Sequence, residues 1–156
     1  SQLGFKGILP SYKKKEGDFA TPIGIWKLGR IMIRKDKLPY LNTSRTIKNK
    51  ITNIQMDSGW CDDKRDLRYN KFFKIKNDPT RNKFSFERLF RNDDVYDIII
   101  EIKYNIKPII KGKGSAIFIH CSFDDKRTTK GCIAIPKNDL IFILKNMKKN
   151  SILKIC

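Results

Sequence analysis

Residues 118–135 read FIHCSFDDKRTTKGCIAI, and the fold turns on how this stretch is read. One apolar run covers Ala116 to Ile119 and ends at His120, and another runs from Cys132 to Ile135. Strands that are apolar throughout are central and covered on both faces. Both runs are therefore expected to be short inner strands, the second stopped by Pro136. The eleven residues between His120 and Cys132 form a polar, flexible link that can fold back and make the two strand ends neighbours. The only histidine of the chain and one of its four cysteines would then sit side by side on one rim of a sheet.

Working outward, VYDIIIEIKYN (95–105) is the clearest strand, with Ile98, Ile100, Ile102 and Tyr104 on one face and Asp97, Glu101 and Lys103 mostly on the other. In TPIGIWKLGRIMIR (21–34), Ile23, Ile25, Ile31 and Ile33 keep a strand period, and Gly29 marks a turn or bulge between two pieces. KNDLIFILKNMKKN (137–150) has helical spacing at Leu140, Leu144 and Met147, an Asn or Asp at its start and lysines at its end. SILKIC (151–156) is a last strand. Residues 35–95 are irregular, with scattered aromatics, and read as short strands and long loops with a short helix near Phe86 to Arg91. The expected product is one mostly β domain (α+β) over residues 1–156, with one or two helices.

Composition narrows the function. Forty per cent of the 156 residues are apolar, enough for one core. No run approaches the roughly 20 apolar residues of a membrane span, and the first residues lack the apolar core of a secretory signal. A net charge of +18 attracts an anionic partner: nucleic acid, a membrane surface or an acidic wall polymer. The basic side chains are 25 Lys and only 9 Arg, which disfavours base-specific readout of nucleic acid. Cys61, Cys121, Cys132 and Cys156 lie far apart without a C-x-x-C, so neither a zinc ribbon nor a disulfide-dense scaffold is indicated.

The His120–Cys132 pair has a chemistry of its own. A thiol with a pKa of about 8.5 is a few per cent thiolate at neutral pH, and a neighbouring imidazole can take its proton. Gly131 permits a positive φ before the nucleophile. The N–H groups of Lys130, Gly131 and Cys132 would face the oxygen of a tetrahedral intermediate. Lys126, Arg127 and Lys130 would favour the thiolate and an acidic substrate. Cys121 adjoins His120, so in a strand its side chain points to the opposite face. Against this stand a purely structural histidine, an inert buried cysteine, and a zinc site from His120, Cys132 and Cys61, whose spacing fits no common zinc pattern.

The stretch GSAIFIHCSFDDKRTTKGCIAI resembles the active-site motif of the YkuD-type L,D-transpeptidases, through His120, Thr129, Gly131 and Cys132. Thr21, Pro22 and Gly24 match that family's Thr-Pro-x-Gly hairpin, and DSGWCDDKRDLRYN and DDVYDIIIEIKYN are similar to segments of one of its branches. The resemblance covers nearly the whole chain. It implies a mixed-sheet sandwich or barrel in the cell envelope or periplasm, working on peptidoglycan stem peptides with no cofactor and no metal. Cys132 would attack the carbonyl of the diamino acid at position three, terminal D-alanine would leave, and an amine or water would resolve the thioester. His120 would be the general base. Two positions depart from the common motif: Lys130 stands where many members have a second His, and Ala134 where they have Arg or Asn. Lys130 is no neutral base near pH 7 without a strongly lowered pKa. The alanine removes a polar contact to substrate.

Trp60, Tyr69 and Asn70, with Asp62 and Asp63, form a polar-aromatic cluster that would shape the substrate cleft and offer carboxylates to an amine. The alternative is a loop tied by its own hydrogen bonds, with Trp60 as a core plug and the aspartates holding backbone N–H groups. Thr129, Lys130, Arg127 and Ser115 complete the expected substrate contacts, though a turn role suits Ser115. Arg88 and Arg91 read as a solvated face, Thr21 as turn chemistry, and Phe84, Phe86 and Phe90 as core. Competing functions are an L,D-carboxypeptidase that only hydrolyses, and a non-catalytic cationic module binding wall polymer or nucleic acid. A bare binder needs no imidazole beside a Gly-Cys turn, and no nucleic acid partner is expected.

Overall fold

The apolar alternation after Ala20 becomes the longest strand of the protein. The computed structural model describes residues 1–43, 45–48, 50–76, 79–80, 83–123 and 128–156. In chain order its strands are β1 (Ile8–Pro10), β2 (Thr21–Ile33), β3 (Ile51–Asn53), β4 (Ser58–Cys61), β5 (Lys71–Lys74), β6 (Phe86–Arg88), β7 (Ile98–Ile102), β8 (Phe118–Cys121), β9 (Ile133–Ile135) and β10 (Ile152–Ile155). A single helical turn, α1 (Arg45–Lys48), follows β2, and a ten-residue helix, α2 (Lys137–Asn146), follows β9. The principal sheet runs β1-β2-β7-β8-β9, and β2 is long enough to pair with β3 and β10 as well. A separate antiparallel sheet, β5-β4-β6, lies apart from it. The sheets are mixed and do not close into a barrel.

Both faces of the principal sheet are covered, which is why its inner strands carry no polar alternation. One face presents Ile31, Ile33, Ile98, Ile100, Ile119 and Ile133 to Leu140 and Leu144 of α2. The opposite face presents Met32, Ile99 and Phe118 to Trp60 of β4 and to Tyr96. Phe118 meets the Trp60 ring edge-on at 4.9 Å, so the small sheet is fastened over the second face by aromatic packing. Beneath the small sheet Cys61, Phe73 and Ile75 form a third cluster with Phe84 and Phe86. Cys121 faces the helix side, away from Phe118, as strand alternation requires.

Several local expectations are resolved. Gly29 marks a bulge inside one continuous strand: the β2–β7 register shifts between Leu28 and Ile31. A Cβ there would lie 2.2 Å from Glu101 Oε2, and that same oxygen accepts the Arg30 N–H at 2.8 Å. The segment near Phe86 is not a helix. It is β6, drawn into a strand by pairing with β4, a tertiary contact that outweighs local preference. The start of α2 is not capped by Asn138 or Asp139 either. Pro136 occupies the cap position without a side-chain cap bond, and Asp139 and Lys145 sit in the first and last turns where the helix dipole favours them. Lys137 ties the helix to the sheet through an ion pair of 2.5 Å with the fully buried Asp97.

Burial sets a stability test. Ile100 is fully buried in the core, whereas Ile25 of β2 is 65% exposed. Ile100→Ala is expected to lower the unfolding free energy by about 2–5 kcal/mol, and Ile25→Ala by less than about 0.5 kcal/mol. Urea unfolding followed by circular dichroism measures both.

Candidate active site

β8 and β9 are parallel neighbours, with His120 opposite Ala134 and Ile119 opposite Ile133. Cys132 lies two residues before Ala134, so its side chain shares a sheet face with Ala134 and His120. The imidazole and thiol are diagonal neighbours, with Cα atoms about 8 Å apart by strand geometry. Both line one cavity of about 380 Å³, within the size range of small-ligand sites. The principal sheet, the N-terminal residue Gln2, the loop holding Glu16 and Phe19, and the small sheet all contribute to its wall.

The Gly-Cys turn is clamped by two threonines. Thr129 Oγ1 donates to the Cys132 carbonyl at 2.7 Å and accepts the Gly131 N–H at 3.1 Å. Thr21 Oγ1 donates to that same carbonyl at 3.4 Å and accepts the Gly4 N–H at 2.9 Å. Thr21 is thus a fully buried support of the nucleophile turn at the start of β2, not an ordinary turn residue. Gly131 has φ +133°, and a Cβ there would stand 2.9 Å from the Ala20 carbonyl oxygen, so only glycine fits. Its N–H is already committed to Thr129 and is not free for an oxyanion, contrary to expectation.

At rest the thiol is not hydrogen-bonded to the imidazole. Cys132 Sγ donates to the Ala116 carbonyl at 3.1 Å and accepts the Phe118 N–H at 3.4 Å. Burial, with the Glu87 carboxylate as a lesser cause, pushes the thiol up to about 12. Among the described residues desolvation of the charged form dominates at the thiol. Lys126 and Arg127 lie outside the described residues. The imidazole is held below its ordinary value by burial, so it is neutral at pH 7. His120 Nδ1 lies 2.9 Å from the Cys121 carbonyl oxygen. A carbonyl only accepts, so Nδ1 carries the proton and Nε2 keeps the lone pair of a base.

Trp60, Tyr69 and Asn70 do not line the cavity; they stand behind it. Asn70 Oδ1 accepts from Trp60 Nε1 and from the Ala116 N–H, both at 3.0 Å, while Asn70 Nδ2 donates to the Asn105 carbonyl. This network holds Ala116 at φ +52°, a conformation costly for alanine, and so fixes the carbonyl that receives the thiol proton. Tyr69 donates its hydroxyl to Glu16 Oε2 and accepts the Gly114 N–H. Ser115 lines the cavity, and its Oγ donates to Glu16 Oε2 at 2.9 Å. Thr129 and Lys130 also line it. Asp63 binds the N–H groups of Arg65 and Ser85, as a loop-tying aspartate should, while Asp62 faces the cavity. Cys61 packs in the cluster under the small sheet, apart from His120 and Cys132, so the three do not form a zinc ligand set.

The sequence reading missed Tyr96 and Glu87 and undervalued Arg91. The Tyr96 ring meets His120 edge-on at 5.4 Å, and its hydroxyl donates to Glu87 Oε1 at 2.8 Å. Arg91 lines the cavity, ion-paired with Asp93 and stacked over Tyr96. Tyr96 falls inside the DDVYDIIIEIKYN segment without a role read there, Glu87 and Arg91 lie in no motif, and tertiary packing brings all three here.

The model of the YkuD family, the L,D-transpeptidase catalytic domain, matches residues 3–155. The chain belongs to this family, which acts on peptidoglycan, and its catalytic function is of the L,D-transpeptidase class. No curated protein and no solved structure matches it significantly.

A buried, protonated thiol predicts a distinctive reactivity. With its pKa raised, Cys132 gains thiolate only as pH climbs toward about 12. Its iodoacetamide alkylation, followed by peptide mass spectrometry, is expected to rise steadily from pH 7 to 10 without a plateau. At pH 8 it should run at least about tenfold slower than in the denatured chain, whose thiol titrates near 8.5. A plateau below pH 8 would mean a resting thiolate–imidazolium pair.

Proposed function

We propose that the protein is a cysteine L,D-transpeptidase that acts on peptidoglycan stem peptides through a thioester acyl-enzyme. The observation that carries this reading is the placement of the sole imidazole and the Cys132 thiol on one sheet face, lining one cavity, in a chain of this family. Substrate entering the cavity displaces the Sγ–Ala116 hydrogen bond, and the thiol turns toward His120. Sγ then attacks the carbonyl carbon of the diamino acid at position three, and its proton passes to Nε2. The oxyanion is met by the N–H groups of Lys130 and Cys132, since that of Gly131 is engaged. The C–N bond breaks, the leaving D-alanine amine takes the proton from His120, and the thioester remains. An acceptor amine then attacks it, gives a proton to Nε2, forms the new amide and releases the Cys132 thiol.

Within this scheme Thr129 and Thr21 hold the nucleophile turn, and Trp60, Tyr69 and Asn70 hold the strand behind it. Lys130, Ser115 and Arg127 serve the substrate. Arg127 enters only from its position in the sequence, two residues before Thr129, and lies outside the described residues. The net charge of +18 favours an anionic wall, and the cell envelope is the compartment this substrate requires. Among the described residues no helix is long and apolar enough to cross a membrane.

Incubation with a carbapenem, followed by intact mass measurement, tests the assignment. One covalent adduct is expected, absent in Cys132→Ala, retained in Cys121→Ala and slowed at least about a hundredfold in His120→Ala, the lower end of the range for a lost general base. An adduct that persists in Cys132→Ala removes the nucleophile assignment. Product analysis on a tetrapeptide muropeptide with and without added D-amino acid separates amine transfer from hydrolysis.

A further inference from the structure

The wall that the small sheet gives to the cavity carries two carboxyl groups without an ion-pair partner among the described residues; burial pushes Glu87 up, and Arg91 and Lys130 on the same cavity pull it only partly back. β6 pairs antiparallel with β4, Glu87 opposite Trp60 and Phe86 opposite Cys61. Asp62 directly follows Cys61, so it is the diagonal neighbour of Glu87 on the same face, and both side chains line the cavity with Cys132 and His120. Glu87 accepts a hydrogen bond from the neutral Tyr96 hydroxyl. Asp62 Oδ1 is buried without a partner among the described residues. Among those residues no lysine or arginine ion-pairs with either carboxylate. Arg91 is held by Asp93.

This is an unusual arrangement in a chain of 34 basic and 16 acidic residues. Glu16, the third carboxylate of the cavity, shows the contrast, because Tyr69 and Ser115 both donate to it. Across the cavity Gln2 Oε1 is a further buried acceptor without a partner among the described residues, while its Nε2 donates to the Phe123 carbonyl. Buried acceptors in native proteins find a donor in the protein, in ordered water or in a ligand. Two adjacent carboxylates repel each other until a cation lies between them. A ligand that brings several N–H donors and one positive charge meets both needs.

We propose that Asp62 and Glu87 form a subsite for a primary ammonium group of the peptide that reaches Cys132. The proposal rests on the reading of Cys132 as an acyl-transfer nucleophile and names what that nucleophile selects. The ammonium comes either from the side chain of the diamino acid in the acyl donor or from the acceptor amine before it loses its proton. Its arrival has a second consequence. Glu87 is one of the groups that keep the Cys132 thiol protonated, so a bound cation offsets that influence and eases proton transfer to His120. Substrate selection and nucleophile activation are thereby coupled at one carboxylate.

Two arms test this. In the donor arm, wild-type protein receives a stem tetrapeptide with a free side-chain amine at position three, or the same peptide with that amine acetylated. D-alanine release and acyl-enzyme mass are followed. In the acceptor arm, the concentration of D-methionine, an acceptor distinct from the released D-alanine, that gives half-maximal transfer is measured in wild type, Asp62→Asn and Glu87→Gln, all checked for folding by circular dichroism. If the donor supplies the ammonium, acetylation lowers kcat/KM by about 10–100-fold, as loss of a charged hydrogen bond does, and the two variants react with both peptides within about threefold. If the acceptor supplies it, half-saturation rises by a similar factor in the variants. A wild type that forms the Cys132 acyl-enzyme equally from both peptides, with half-saturation unchanged in the variants, overturns the subsite and leaves the nucleophile standing. No acyl-enzyme from any peptide, with no carbapenem adduct, overturns the nucleophile and the subsite together.

Discussion

The parallel pairing of β8 with β9 is the constraint on which the rest depends. It fixes Ala134 opposite His120 and so places Cys132 on the imidazole's face. Everything around the pairing serves to keep it. The helix side is filled by Leu140 and Leu144, and the other side is closed by Trp60 and Tyr96. Gly131 lets the chain turn against Ala20, where no side chain fits. Thr129 and Thr21 then converge on the Cys132 carbonyl. The backbone position of the nucleophile is over-determined, whereas its side chain is held only by weak sulfur hydrogen bonds to Ala116 and Phe118.

That division has a chemical logic. A thiol kept neutral by burial is less open to alkylation and oxidation, which require thiolate. Its S–H donates to the Ala116 carbonyl, and Ala116 is held in a left-handed conformation by Asn70. Substrate has only to replace weak sulfur hydrogen bonds to bring the thiol within reach of a neutral imidazole whose Nδ1 is already anchored. The acidic wall from the small sheet adds selectivity, because the carboxylate beside the sulfur also favours the protonated resting form. Structural strain, burial and charge all favour the same waiting state, and one bound cation eases the electrostatic part of it.

Much of the principal sheet was legible in the sequence, because its strands carry their signal locally. The run at 132–135, the shared face of Ile98, Ile100, Ile102 and Tyr104 and the helical spacing of Leu140 and Leu144 match the structure, whereas the run at 116–119 gives a strand two residues later, Phe118–Cys121, because Ala116 takes a positive φ. The small sheet was not legible. Its strands are three or four residues long, too short for a period, and β6 exists only because β4 lies beside it. The site divided in the same way. His120, Gly131, Cys132 and Thr129 lie in one contiguous motif and meet in one cavity. Tyr96 and Glu87 come from separate elements and reach the site through packing against His120 and each other. Thr21 was misread because a threonine before proline looks like a turn, whereas its hydroxyl is buried against a carbonyl more than a hundred residues away.

The chain has one histidine, which makes the central claim directly measurable by nitrogen NMR of ¹⁵N-histidine-labelled protein. At pH 7 the account predicts a neutral ring with its proton on Nδ1, and a clear change in the Nε2 resonance when Cys132 is acylated by a carbapenem. A proton on Nε2 in the resting protein, or ring resonances unmoved by an adduct on Cys132, would contradict it.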